Sequence, residues 1–175
     1  MHSDPNSAET EFEDVVEPEN ALPEATLQEL PESLQAAAAL AGWTSLMPVQ
    51  AKAIPYLLKG RDLMVQSRTG SGKTGAFVLP IVERVEPGAG CQAIVLVPTR
   101  ELAKQVAAEA ETLGGAKGVH ATAIYGGVDY GPQIKAFEDG VALVIGTPGR
   151  ILDHLMKGTL SLSTLRLLVF DEADR

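Results

Sequence analysis

Two short motifs in this chain combine residue types that can act on a nucleoside triphosphate. The first follows an apolar run at residues 63–66 and contains closely spaced glycines, then lysine and threonine. Glycines let the backbone wrap around phosphate oxygens, the lysine can neutralise phosphate charge, and the threonine hydroxyl can hold Mg²⁺. The residues of this phosphate loop are Thr69, Gly70, Ser71, Gly72, Lys73 and Thr74. They fit the pattern G-x-x-x-x-G-K-[ST] except at its first glycine, where Ser67 stands.

The second motif is a pair of acids at the end of a buried-strand pattern. The apolar run Leu167–Phe170 leads directly into Asp171 and Glu172. Two carboxylates cannot be buried unpaired without a large cost, and a metal ion would resolve their repulsion. We expect Asp171 and Thr74 to hold Mg²⁺, and Glu172 to orient or deprotonate the attacking water. Glu172, Asp171 and Lys73 are therefore the candidate catalytic residues, although an acidic run alone is also consistent with a solvated loop.

Alternating helical and strand patterns place these motifs. Short apolar runs bounded by turn residues alternate with helical stretches, which is typical of a parallel sheet with helices on both faces. The predicted strands are Leu63–Gln66, Ala93–Val97, Ala121–Tyr125, Ala142–Ile145 and Leu167–Phe170. Two helices, at residues 34–41 and 49–58, come before them. Because ligands gather at the carboxyl ends of such strands, motifs that follow a strand are expected to share one sheet edge.

Taken together, the motifs resemble the DEAD-box family of ATP-dependent RNA helicases. Between the phosphate loop and the Asp-Glu-Ala-Asp run at residues 171–174 lie three more matches in the family's order: residues 98–103, 126–127 and 147–150. The resemblance covers about residues 34 to 175. It implies an α/β fold, the N-terminal RecA-like domain of a phosphate-loop NTPase, with a parallel sheet and helices on both faces. The chain ends just after the acidic run, so this fold is expected to be incomplete at its C-terminal end.

The three intermediate matches imply contacts with an RNA backbone. Thr99 and Thr147 each follow a strand and precede a helix, so both are good N-caps whose helix starts offer free N–H groups to phosphates. Arg100 and Arg150 are expected to add charge, and glycines let a sugar-phosphate chain approach closely, independent of sequence. The candidate RNA-binding residues are Pro98, Thr99, Arg100, Gly126, Gly127, Thr147, Pro148, Gly149 and Arg150. Taken singly, each segment also fits an ordinary capped helix start.

The resemblance places Gln50, 23 residues before the loop lysine, where the family has its adenine-reading glutamine. An amide can both donate and accept a hydrogen bond toward the edge of adenine, which implies ATP rather than GTP. The surrounding segment departs from the family at Leu46 and Met47, where the family usually has Pro-Thr.

Charge and composition divide the chain into three parts. The net charge is -9, but residues 1–33 hold ten acids and no base, which leaves 13 acids against 14 bases in the remainder. We expect an acidic disordered tail at residues 1–25, glutamine-motif helices at 26–58 and a partial RecA-like ATP-binding domain at 59–175. Cys91 is the only cysteine, which excludes an internal disulfide. With no secretion signal and no membrane-length apolar run in the sequence, we expect a cytoplasmic protein without a membrane partner.

The expected activity depends on parts that this chain lacks. The family's second RecA-like domain, which supplies arginines to the γ-phosphate and half of the RNA surface, is absent from this chain. In RecA-like folds the next strand also inserts between the phosphate-loop strand and the acidic-motif strand, so a gap with unpaired edges is expected here. One hypothesis is a fragment of a helicase that couples ATP hydrolysis to RNA duplex remodelling at full length and is inactive in unwinding alone. The alternatives are a non-catalytic nucleotide- or RNA-binding module or remnant, and a small kinase or GTPase, for which the sequence has no guanine-reading or acceptor motif.

Overall fold

A computed structural model describes residues 19–173 of the chain. The helices in this range are α1 (Glu32–Leu40), α2 (Pro48–Leu58), α3 (Lys73–Arg84), α4 (Arg100–Gly114), α5 (Gly131–Glu138) and α6 (Pro148–Met156). The strands are β1 (Ala93–Leu96), β2 (Ala121–Ile124), β3 (Leu143–Gly146) and β4 (Leu167–Phe170). Short 3-10 turns occur at Leu27–Glu29 and Gly115–Lys117. Most of the predicted acidic tail, residues 1–18, lies outside the described residues, as does Asp174.

The four described strands form one parallel sheet in the order β2-β3-β1-β4. Their register brings the carboxyl ends into line: Ile124 pairs with Gly146, Gly146 with Leu96, and Leu96 with Phe170. Parallel strands need crossover connections, and helices supply them here. All four strand ends therefore meet at one edge, as the sequence predicts.

Two cores cover the two faces of the sheet. Alternate residues of β1 and β3 point to opposite faces because the side-chain period of a strand is two. Ala93, Val95, Leu143 and Ile145 pack into a core that buried residues of α1, α2, α3 and α4 complete, whereas Ile94 and Val144 face a smaller core with Ile151 of α6. Helices on both faces confirm the predicted α/β fold class.

The predicted strand Leu63–Gln66 is the one predicted strand that does not form. This segment pairs with no strand in the described part of the chain, and Met64 is 96% exposed. β4 is an edge strand of the described sheet, and its Leu168 is 50% and its Phe170 63% exposed. A strand needs a ladder partner to satisfy its backbone, and the place beside β4 holds none among residues 19–173. Among residues 19–173, β4 thus pairs on one side only, and Leu63–Gln66 has no regular structure, whereas the gap between them stays a prediction.

The last part of the predicted tail packs on α2. The backbone N–H of Leu22 donates to the Tyr56 hydroxyl at 2.8 Å, and that of Ala25 donates to the Ala51 carbonyl at 2.9 Å. The predicted boundary at residue 25 thus falls inside a segment that contacts the domain. Across residues 19–173, no helix is both long and apolar enough to span a bilayer.

Candidate functional site

The candidate residues line the carboxyl edge of the sheet in a fixed order. The glycine pair follows β2, Thr147 follows β3, Thr99 lies just beyond β1, and Asp171 follows β4. Neighbouring strands in a sheet are about 4.8 Å apart, so these segments lie side by side. The sheet thereby separates an RNA-candidate side, on β2, β3 and β1, from an acidic side on β4.

The phosphate loop ends in the first turn of α3, which begins at Lys73. Gly70 and Gly72 have φ angles of 77° and 91°, a left-handed conformation that favours glycine. The Lys73 ammonium donates to the backbone carbonyls of Ser67 and Arg68. The Lys73 ammonium thus bonds carbonyl oxygens of its own loop, and it can exchange these acceptors for phosphate oxygens.

Gln50 connects the start of α2 to the phosphate loop. Its side chain is buried, its Nε2 donates to the Gly72 carbonyl at 3.1 Å, and its Oε1 accepts from the Met47 N–H at 2.9 Å. A Cβ on Gly72 would lie 2.8 Å from Gln50 Nε2 and 2.7 Å from the Met47 sulfur, which explains the glycine. The amide therefore supports the loop directly, and its reading of adenine stays a prediction.

A second contact to α3, the helix that follows the phosphate loop, comes from Trp43, which no motif in the sequence marks as functional. The ring of Trp43, which lies just before α2, packs on α3 at Gly75, where a Cβ would lie 2.2 Å from the ring carbon Cη2. A glycine within a helix lowers its stability relative to alanine, and the close approach of Trp43 explains why Gly75 stands there. The only signals in the sequence are a single tryptophan and a glycine inside a helix.

The acidic motif is held against the centre of the sheet. The Asp171 N–H donates to the Leu96 carbonyl at 2.9 Å, which extends the β1–β4 ladder by one residue. Burial raises the pKa of Asp171, and the Glu172 charge adds to this, whereas a backbone hydrogen bond from Glu172 and the Lys73 charge lower it. Glu172 has a φ of 51°, which is uncommon for a residue with a side chain. The Asp171 carboxyl thus lies close enough to Lys73 for the two charges to interact.

The start of α4 has the predicted cap. Thr99 Oγ1 accepts from the Leu102 N–H at 3.2 Å, and Pro98, Thr99 and Arg100 are all exposed. Arg100 Nε donates to Glu101 Oε1 at 2.7 Å, so part of its charge is neutralised locally. This helix start is accessible from solvent, and its contact with RNA stays a prediction.

The start of α6 is held differently. Thr147 is at the N-cap position, but its side chain caps no N–H in the described first turn of α6, which corrects the expectation of a side-chain cap. Instead its backbone N–H donates to the Ile124 carbonyl at 2.9 Å, which ties this helix start to the end of β2. The neighbouring candidates Gly126, Gly127, Pro148 and Gly149 are exposed, and their contact with RNA stays a prediction.

Arg150 differs from the expectation that it adds exposed charge. It is only 7% exposed, and its guanidinium donates to the Val128 carbonyl at 2.9 Å and to Gln133 Oε1 at 3.4 Å. His154, which is fully buried, also contacts Gln133. This group could not be predicted from the sequence, because a polar residue at a buried helix position has the same local pattern as a surface residue.

Comparison with known proteins gives a consistent family. The model of the DEAD/DEAH box helicase family matches residues 47–175. Among curated relatives, the ATP-dependent RNA helicase DeaD of Escherichia coli (strain K12) is 50% identical over 135 residues, 76% of this chain and 22% of that protein. DeaD of Haemophilus influenzae is 46% identical over 147 residues, 83% of this chain and 24% of that protein.

Solved structures agree with these relatives. A DEAD box protein from the hyperthermophile Methanococcus jannaschii matches with a TM-score of 0.80 and 44% identity, over 86% of this chain and 42% of that one. A hypothetical ATP-dependent RNA helicase from Sulfolobus tokodaii matches with a TM-score of 0.74 and 36% identity, over 83% of this chain and 42% of that one. The chain therefore spans less than a quarter of the length of these curated relatives and under half of these solved chains.

Proposed function

This chain belongs to the DEAD/DEAH box helicase family, and on that premise we propose that it is the ATP-binding and RNA-backbone-binding part of an ATP-dependent RNA helicase. In the full-length protein it would couple ATP hydrolysis to RNA duplex remodelling. The observation that carries the proposal is the strand register, which aligns Ile124, Gly146, Leu96 and Phe170. The acidic motif and the three candidate RNA-binding segments therefore follow strands that end at the same sheet edge.

The nucleotide half of the proposal depends on the phosphate loop and Gln50. Loop N–H groups and the α3 N-terminus favour triphosphate oxygens, and Lys73 adds a positive charge. Gln50 would select adenine, and its bond to the Gly72 carbonyl supports a link between base and phosphate sites. The buried amide has one further N–H for such a contact.

Thr74 and Asp171 would hold Mg²⁺, which keeps several waters and takes few protein oxygens besides nucleotide phosphates. When bound, the ion would neutralise charge on the β- and γ-phosphates. Glu172, next to Asp171, would accept the proton of the attacking water. The reach of the Lys73 charge to Asp171 supports this grouping of the candidate residues.

The RNA half of the proposal is recognition of the backbone, independent of sequence. The exposed segments at Pro98–Arg100, Gly126–Gly127 and Pro148–Gly149, together with the half-buried Thr147, would contact phosphates and sugars. A second RecA-like domain, outside this chain, would complete both the RNA surface and the γ-phosphate site. A cytoplasmic location also stays part of the proposal.

The test is RNA-stimulated ATP hydrolysis by the protein in its full natural length, with two variants that affect different steps. Lys73→Ala is expected to abolish ATP binding, because loop N–H groups alone cannot offset the triphosphate charge. Glu172→Gln is expected to keep ATP binding and to lower the hydrolysis rate by about 10²–10⁴-fold, as loss of a general base does. Lys135→Ala removes an exposed lysine of α5 and serves as the charge control.

Unchanged ATP affinity in Lys73→Ala would refute the role given to this lysine. The 175-residue chain by itself is expected to show no duplex unwinding, because the unpaired segment Leu63–Gln66 leads directly into the phosphate loop. Unwinding by the purified chain would contradict that expectation and would favour a self-sufficient enzyme over a nucleotide- or RNA-binding module.

A further inference from the structure

Three polar side chains lie buried together between α5 and α6. The exposed fraction is 5% for Gln133, 7% for Arg150 and 0% for His154. Buried polar groups are costly unless they are hydrogen-bonded. Within residues 19–173 every buried side-chain nitrogen and oxygen has a hydrogen-bond partner. The partners of this cluster therefore show what it holds in place.

The cluster donates hydrogen bonds to the backbone on both sides of the glycine pair. Gln133 Nε2 donates to the Tyr125 carbonyl at 3.0 Å, and Arg150 Nη2 donates to the Val128 carbonyl at 2.9 Å. These two carbonyls directly flank Gly126–Gly127 in the chain. Gly127 has a φ of 81° and no described atom within 4 Å of an added Cβ, so the pair faces open space. The loop is fixed at its two ends, and its exposed backbone faces outward.

His154 sets the direction of the Gln133 amide. Gln133 Oε1 faces His154 Nε2 at 2.8 Å and Arg150 Nη1 at 3.4 Å, which leaves its Nε2 for the Tyr125 carbonyl. Because an amide oxygen only accepts, this network assigns the histidine proton to Nε2. The other ring nitrogen, Nδ1, lies 2.8 Å from Thr159 Oγ1. A chain of hydrogen bonds thus runs from Thr159 through His154 and Gln133 to the Tyr125 carbonyl, next to the glycine pair.

The charge of Arg150 is directed inward. Its guanidinium carbon lies 3.9 Å from the centroid of the Tyr130 ring, a cation–π distance. It makes no ion pair with a carboxylate among residues 19–173. Arg100, by contrast, has an exposed side chain at the equivalent place after β1. The two arginines follow similar strand ends but face different surroundings.

We propose that Arg150, Gln133 and His154 are positioning residues of the RNA groove, which clamp the carbonyls on either side of Gly126–Gly127. Arg150 serves RNA binding through the loop that it holds, and not through a contact with phosphate. This inference depends on the proposed RNA function, and it assigns roles to two residues, Gln133 and His154, that the RNA-facing segments do not include.

The salt dependence of RNA binding separates a positioning arginine from a phosphate contact. The affinity of the full-length protein for a fluorescent single-stranded oligouridine is measured by anisotropy over a series of KCl concentrations, with a non-hydrolysable ATP analogue present. Each phosphate neutralised on a single strand contributes about 0.7 to the slope of log affinity against log salt. Arg150→Met is expected to weaken binding about tenfold with the wild-type slope. Arg100→Met, the matched exposed arginine, is expected to lower the slope by about 0.7.

A second pair of variants tests His154 without a change of polarity. Glutamine can place its amide nitrogen near the position of Nε2, whereas asparagine reaches only the position of Nδ1. His154→Gln is expected to bind RNA about as the wild type does, and His154→Asn several-fold more weakly, with ATP affinity equal in both. A merely structural role would lower ATP affinity and the unfolding temperature together in both variants.

The outcomes distinguish this inference from the proposed function. A slope that falls by about 0.7 in Arg150→Met would show a phosphate contact and overturn the inference, as would unchanged RNA affinity in Arg150→Met. If Arg150→Met does not fold, equal RNA affinity in His154→Gln and His154→Asn overturns the inference. A wild-type protein that binds no RNA would overturn the proposed function, and the inference with it.

Discussion

The two sides of the sheet edge are built to different degrees of completeness. The RNA-candidate side rests on β2, β3 and β1, and every residue of Leu143–Gly146 in β3 is buried. The acidic side forms the proposed nucleotide side together with the phosphate loop. This nucleotide side depends on β4, whose residues alternate between half-buried and exposed, and on the unpaired segment Leu63–Gln66. The phosphate loop is instead contacted by Gln50, and the first turn of the helix that follows the loop is contacted by Trp43 at Gly75.

This difference separates two ways of holding a functional loop. On the RNA side, each loop continues a paired strand, and a buried hydrogen-bonded cluster fixes the glycine pair. On the nucleotide side, the loop depends on contacts from residues before it in the chain, because its own strand has no described ladder partner. We therefore expect the nucleotide side to open first, and the following predictions test that order.

The largest expected contrast is in hydrogen exchange of the 175-residue chain. Backbone amides of Leu143–Gly146 should exchange at least about 1000-fold more slowly than those of Leu63–Gln66, after correction for intrinsic rates, because only the former are in a buried ladder. Mass spectrometry of peptic fragments gives both rates in one sample. Equal protection of the two segments would contradict the expectation that the nucleotide side opens first. A rise in protection at residues 63–66 in a longer natural form would show that a ladder partner stabilises this segment.

Two glycines near helix starts should respond oppositely to alanine. Gly75→Ala places a Cβ 2.2 Å from the Trp43 ring, and we expect a loss of about 1–3 kcal/mol in the free energy of unfolding. Gly149→Ala meets no described atom within 4 Å, so it should be neutral or stabilising by up to about 1 kcal/mol. Urea denaturation measures the free energy of unfolding of both variants. Similar losses in the two would contradict the claim that the Trp43 ring excludes a side chain at residue 75.

Two threonines at N-cap positions should differ by about 1 kcal/mol. Thr99→Ala removes a side-chain cap on the Leu102 N–H and should lower the free energy of unfolding by about 1 kcal/mol. Thr147→Ala leaves the backbone bond to the Ile124 carbonyl and should cost clearly less. Paired urea titrations decide this, and an equal cost would indicate that Thr147 caps α6 in solution.

The smallest expected effect is a pH dependence of stability from His154. Burial lowers the pKa of His154, and the charges of Arg150 and Lys157 lower it further against an opposing effect of Asp153. The unfolded chain then binds a proton first, so stability is complete above about pH 6.5 and falls as the pH drops from there toward the lowered folded pKa. Unfolding temperatures measured between pH 7.5 and 5 should show this loss, and it should shrink in His154→Gln but persist in His120→Gln. A pH profile that His154→Gln leaves unchanged would contradict it.

Local structure and the order of the motifs could be predicted from the residues alone. Four of five predicted strands, the helices around them, the Thr99 cap and the order of the motifs could be predicted, because periodicity and capping depend on residues close in the chain. The same reasoning explains why the family could be recognised from short motifs.

The exposure of the side chains and the pairing of the strands depended instead on the three-dimensional fold. Arg100 and Arg150 occupy similar local sequences after β1 and β3, yet one is exposed and the other is buried on Tyr130 and Val128. Leu63–Gln66 has a strand's composition but no described partner for a ladder. Burial and pairing depend on groups distant in the chain, such as His154 and Gln133 for Arg150, and no local pattern contains that information.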